Sequence, residues 1–126
     1  MTNLLIIDDE ETIIESMSRM FKRKGYEVQT AMRGDEAIEL YGSFNPDISL
    51  IDVHMIDSPE EGLRILEEIK KINAEALCIM LTRITKEEVV SKAKELGAHR
   101  YLLKPFRAQE LITVVQEAEK VLGRRG

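Results

Sequence analysis

The chain has 126 residues, 44% of them hydrophobic and 33% charged, with a formal net charge of −5; that length supports one ordinary domain with a core of its own, without disulfide or metal staples. The acidic balance opposes binding to a phosphate backbone, so this domain is expected to make no direct contact with nucleic acid. No run approaches the roughly 18 apolar residues of a membrane span and no basic, signal-type segment opens the chain, so no membrane contact and a cytoplasmic location are expected.

The first apolar run, LLIIDD, predicts a strand over 3–8 that ends on Asp8-Asp9. The spacing predicts a helix over 10–24, with Ile13, Met17, Met20 and Phe21 at i, i+4, i+7 and i+8. Met17 and Met20 read as core filling rather than a binding groove. Lys22-Arg23-Lys24 falls at the end of that helix, where cations favour the macrodipole, and is assigned no function. A strand over 27–31 and a helix over 35–41 follow.

DISLID predicts a strand over 48–52 ending on Asp52. Ser58 and Glu61 have capping-box spacing with Pro59 at the first helical position, so the next helix is expected over 59–72. ALCIMLT predicts a strand over 77–82 ending on Thr82. Cys78, inside that run, reads as a small core hydrophobe and suits a reducing cytosol. Thr85 and Glu88 have capping-box spacing for a helix over 86–96. YLLKP predicts a strand over 100–104 carrying Lys104, and Leu111, Val115, Ala118 and Leu122 stripe a helix over 107–122. Gly25, Gly42, Gly97 and Gly123 each follow a helical segment, where a positive φ can close the last turn. Residues 123–126 read as a natural terminus or the start of a linker, leaving about 1–122 as the domain core.

Five alternating strand–helix units with right-handed crossovers give a doubly wound α/β fold with a five-stranded parallel sheet, in the flavodoxin-like order 2-1-3-4-5. Each apolar run is followed at once by a polar group, so the chemistry gathers at the carboxyl edge of the sheet. The ends of the first and third strands meet at the switch point, where Asp8, Asp9 and Asp52 would converge. Carboxylates about 5 Å apart repel by about 3 kcal/mol per pair at an effective dielectric near 20. Raised pKa values or a hard cation would offset this, and an oxygen-only set with retained waters suits Mg²⁺. His54 and His99 lack zinc-site spacing.

Asp8-Asp9, Asp52, Thr82 and Lys104-Pro105, in this order after successive strands, resemble the receiver domain of bacterial two-component response regulators. Met55 three residues after Asp52, Gly97-Ala98 before the last strand and Tyr101 three residues before Lys104 add to the likeness, which covers essentially the whole chain. The resemblance implies that Asp52 accepts a phosphoryl group from a sensor histidine kinase, a phosphotransfer protein or a small phosphodonor. It further implies Mg²⁺ or Mn²⁺ held by Asp9, by Asp8 through water, by Asp52 and by the backbone carbonyl of His54. Lys104 would pair with a phosphoryl oxygen, Thr82 would bind the phosphoryl group, and a cis bond before Pro105 would turn the lysine toward the site. Thr82 and Tyr101 would form a switch that reshapes the face made by the fourth helix, fifth strand and fifth helix, through which two copies can pair. By the same likeness the chain is a signalling domain that assists its own phosphorylation and dephosphorylation rather than an enzyme with a separate substrate, and an output domain or partner protein would read its state.

The chain departs from the family pattern in two places, the loop after Asp52 and the residue after Thr82. Ile56 stands where the family has Pro, and Gly62 comes ten residues after Asp52 rather than eight, which places two extra residues within Ile56-Asp57-Ser58. Asp57 reads as a solvated loop carboxylate. Arg83 replaces the small residue that often follows the threonine, and it would either obstruct the incoming donor or grip phosphoryl oxygens. Rival readings are a flavodoxin-type cofactor binder, opposed by the acidic run Asp8–Glu11 where phosphate would bind; a metal-dependent phosphatase, which lacks a second general acid; and a pseudo-receiver acting only as a protein-interaction module.

Overall fold

In a computed structural model, described for residues 2–55, 60–83 and 86–125, ten elements alternate along the chain. They are β1 (Asn3–Ile7), α1 (Glu11–Arg23), β2 (Glu27–Ala31), α2 (Gly34–Phe44), β3 (Ile48–Asp52), α3 (Glu61–Ile72), β4 (Leu77–Thr82), α4 (Glu87–Glu95), β5 (Arg100–Leu103) and α5 (Ala108–Arg125). The strands form one sheet in the order β2-β1-β3-β4-β5, with every neighbouring pair parallel. The predicted doubly wound fold and its strand order are therefore the observed ones.

The period-two geometry of the strands sorts the core into two halves. Leu5, Ile7, Ile51, Cys78 and Met80 point to one face, where Ala37 and Tyr41 of α2, Ile65, Leu66 and Ile69 of α3, and Val89 and Ala93 of α4 cover them. Leu4, Ile6, Ile48, Leu50, Ile79 and Leu81 point to the other, beneath Ile14, Met17 and Phe21 of α1 and Leu111, Val115 and Ala118 of α5. Central strands buried on both faces explain why their sequences read as unbroken apolar runs rather than alternations. Cys78 is one of these core residues, and burial pushes its thiol up to about 12.

Several expected details are corrected. In α1 the buried residues are Ile14, Met17 and Phe21, while Ile13 and Met20 pack at the margin of the core, so the stripe is rotated toward Ile14. α2 runs past Gly42 to Phe44, and Asn45 at φ 57 closes it instead. Gly123 likewise lies within α5, whose last residue, Arg125, donates from Nη1 to the Glu75 carbonyl at 2.8 Å. Gly25 and Gly97 do take positive φ, 96° and 93°, after α1 and α4. The expected caps at Ser58, Pro59 and Thr85, and the extra length at Ile56, Asp57 and Ser58, lie outside the described residues. Among the described residues no helix is long and apolar enough to cross a membrane.

Candidate functional site

Strand parity places the polar residues that follow the apolar runs. Asp8 continues the alternation of Leu4 and Ile6, Asp52 that of Ile48 and Leu50, and Lys104 follows Leu102, so all three fall toward the α1 and α5 side. Thr82 continues the alternation of Cys78 and Met80, and Tyr101 packs against the same core half, so this pair falls on the α4 side. The edge of the sheet thus carries two groups back to back.

In the first group Lys104 is the connecting residue. Its Nζ lies 3.1 Å from Oδ2 of Asp8 and 3.6 Å from Oδ1 of Asp52, with the three side chains 9%, 0% and 5% exposed. The Lys104–Pro105 peptide is cis, and the Lys104 amide donates to the Thr82 carbonyl at 2.8 Å, which carries β4–β5 pairing to the site. Asp8 is fixed from the backbone side: its amide donates to the Ala31 carbonyl at 3.1 Å, and its Oδ1 accepts from the Glu10 amide at 2.9 Å.

Burial pushes the Asp52 carboxyl up to about 7, and the negative charges of Asp8 and Asp9 add to that rise. Lys104 and a hydrogen bond from the His54 backbone amide oppose it. One buried ammonium shared by two carboxylates does not neutralise them. Asp9 and Glu10 crowd the same corner: oxygens of Asp8, Asp9 and Glu10 lie within 4.8 Å of one another, a group that does not include Asp52. This all-oxygen donor set fits a hard cation such as Mg²⁺.

A cleft of about 290 Å³ opens over Asp52, lined by Glu10, His54, Arg83 and Lys104. Two of the lining side chains, Arg83 and Glu10, are well exposed and approach each other, Nη2 lying 4.0 Å from Oε1. In the second group Thr82 is fully buried and hydrogen-bonded to Tyr101, whose phenol is raised mainly by burial. Met55 is buried in the α2–α3–α4 half of the core, Pro105 lines a neighbouring groove between α1 and the start of α5 together with Met17 and Met20, and Asp57 lies outside the described residues.

Two participants carry no strand-end signature. Glu10 was legible only as part of an acidic run. Gly62 was legible only as a displaced glycine, yet a Cβ there would stand 2.3 Å from the Asp52 carbonyl oxygen and 2.5 Å from the Val53 Cα. Its amide donates to the Val53 carbonyl at 3.0 Å, so the first turn of α3 rests directly on the backbone that carries Asp52.

The response regulator receiver domain family matches residues 4–116. The chain belongs to that family. The response regulator SaeR of Staphylococcus aureus is 39% identical over 113 residues, which are 89% of this chain and 48% of SaeR, so the chain spans about half the length of that curated relative. A CheY-like receiver domain protein from Methanospirillum hungatei superposes with a TM-score of 0.94 at 25% identity, covering 100% of this chain and 99% of the other. A response regulator from Burkholderia pseudomallei, solved with a phosphorylated aspartic acid, a calcium ion and citrate, superposes at 0.83 with 27% identity, covering 100% of this receiver chain and 74% of that protein.

Proposed function

We propose that Asp52 is the phosphoacceptor of this receiver domain, taking its phosphoryl group from a sensor histidine kinase, a phosphotransfer protein or a small phosphodonor. The observation that carries the reading is Asp52 itself: a buried carboxyl at a strand end, pushed up to about 7 and joined through Lys104 to a second buried carboxylate. Attack by an Asp52 oxygen forms a P–O bond as the donor's P–N bond breaks, and the electron pair leaves with the donor nitrogen. Lys104, whose ammonium is already 3.6 Å from Oδ1 of Asp52, follows the charge onto a phosphoryl oxygen. Thr82 binds a second oxygen, which draws its hydroxyl away from Tyr101 and passes the event to the α4–β5–α5 face.

Asp9 directly, Asp8 through water, Asp52 and the His54 carbonyl are the groups that would hold Mg²⁺ or Mn²⁺. When bound, the cation neutralises charge on the peripheral phosphoryl oxygens. The Burkholderia relative, with its phosphorylated aspartic acid and calcium ion, supports both assignments. SaeR is about twice the length of the matched region, which supports a further output segment or a separate partner protein that reads the switched face; two receiver copies can also pair through it.

Incubation with phosphoramidate and Mg²⁺, followed by intact-mass measurement, tests the reading. A single phosphoryl adduct on the wild type that is missing from Asp52→Asn is the expected result. A folded wild type that stays unmodified, under conditions that modify another receiver, would instead make the chain an interaction module without phosphorylation.

A further inference from the structure

Glu10 and Arg83 form an exposed ion pair in the lining of the Asp52 cleft. Their side chains are 48% and 74% exposed and 4.0 Å apart, a long, solvent-screened ion pair that is readily exchanged for a better partner. Glu10 also stands beside Asp8 and Asp9, so its carboxylate has acids on one side and the guanidinium on the other. Among the described residues, Arg83 and Lys104 are the lysine and arginine side chains that line the cleft, and Lys104 is already divided between Asp8 and Asp52. Converting the Asp52 carboxylate into an acyl phosphate adds about one further negative charge to this space. A guanidinium presents a planar fork of donors matched to phosphoryl oxygens, a better acceptor set than one distant carboxylate.

We infer that Arg83 is a second phosphoryl-binding cation, parked at the rim of the cleft by Glu10, and that on phosphorylation it moves onto the phosphoryl group of Asp52 and slows its hydrolysis. The inference rests on Asp52 being the phosphoacceptor. In the hydrolysis a water oxygen bonds to phosphorus while the P–O bond to Asp52 breaks. The electron pair returns to the carboxylate, a water proton passes to solvent and inorganic phosphate leaves. The water arrives opposite the Asp52 oxygen, from the open mouth of the cleft, and a guanidinium spread over the phosphoryl oxygens narrows that path. Glu10 acts through Arg83 and is a positioning residue.

The test follows decay of the phosphoryl adduct by intact mass in the wild type, Arg83→Ala, Arg83→Lys, Glu10→Gln and the Glu10→Gln/Arg83→Ala double variant, with Mg²⁺ and after chelation. Side-chain Nε–H NMR of Arg83, before and after phosphorylation, supplies a readout independent of turnover. Arg83→Ala is expected to shorten the lifetime by about threefold or more, with Arg83→Lys between it and the wild type. Glu10→Gln is expected to lengthen the lifetime only while Arg83 is present, and the Arg83 Nε–H resonance to shift on phosphorylation. A lifetime unchanged or longer in Arg83→Ala, a Glu10→Gln effect that persists without Arg83, or an unmoved resonance would overturn the inference. A wild type that forms no adduct would overturn the phosphoacceptor assignment beneath it.

Discussion

As the proposed phosphoacceptor, Asp52 combines two demands that conflict in water: a nucleophile has to be ionised, and a protected acyl phosphate needs burial. Burial first, then Asp8 and Asp9, hold its proton up to about 7, so without a cation much of the protein at neutral pH carries Asp52 in the non-nucleophilic acid form. The rate of adduct formation from phosphoramidate at very low Mg²⁺ is therefore expected to rise with pH through about 7. Added Mg²⁺ favours the carboxylate and is expected to move that midpoint downward; initial rates by intact mass across pH check both. A cation-free midpoint near the ordinary carboxylate value of about 4 would contradict the burial argument. Asp8, Asp9, Asp52, Thr82 and Lys104 were legible because each ends an apolar run. What spacing cannot express is which oxygen an ammonium chooses across three strands, and here Lys104 lies closer to Asp8 than to Asp52. Glu10 was hidden for a related reason: an acid beside two acids carries no signature of what it faces.

Among the elements, glycine separates what was read correctly from what was not. Gly42 looked like a helix end, but α2 continues through it because Phe44 and Asn45 supply the closing turn, Asn45 adopting φ 57. A Cβ at Gly42 would meet nothing within 4 Å, so Gly42→Ala is expected to stabilise the protein by about 0.5–1 kcal/mol through lower chain entropy in the unfolded state. Gly62 is the opposite case. A Cβ 2.3 Å from the Asp52 carbonyl oxygen forces α3 away from β3, and overpacking of this kind costs about 1–3 kcal/mol. Denaturant titrations of the two variants should move in opposite directions, and Gly62→Ala should also lose phosphoryl acceptance because the displaced backbone carries Asp52, the proposed phosphoacceptor. A neutral Gly62→Ala would show that the contact relaxes freely. Spacing shows the extra residues after Met55 as loop length, whereas α3 is seated by the close approach of Gly62 to the Asp52–Val53 backbone, which no spacing rule reveals.

For the whole molecule, the parity of the strands divides the sheet edge into an Asp8–Asp52–Lys104 side toward α1 and α5 and a Thr82–Tyr101 side toward α4. The alternation of apolar runs and amphipathic helices was enough to read the doubly wound fold and the strand order, since right-handed crossovers leave few alternatives. The back-to-back arrangement follows from counting residues along each strand. A ligand shifts a conformational equilibrium only by its differential interaction with the two arrangements, and in the proposed switch the Thr82 hydroxyl is the group that both sides would claim. Phosphorylation is accordingly expected to change amide hydrogen exchange in α4 and β5, with β2 and the first residues of β1, at the far edge and opposite end, unaffected. A change confined to β2 would place the switch elsewhere.

On the proposed function, the buried carboxyl at the end of β3 receives the phosphoryl group. Peptide mapping of the phosphoramidate-treated protein by tandem mass spectrometry tests it most directly. The modification is expected on Asp52 alone, with none at Asp8, Asp9 or Glu10; a phosphoryl group mapped to any other residue, or its persistence in Asp52→Asn, would contradict that assignment.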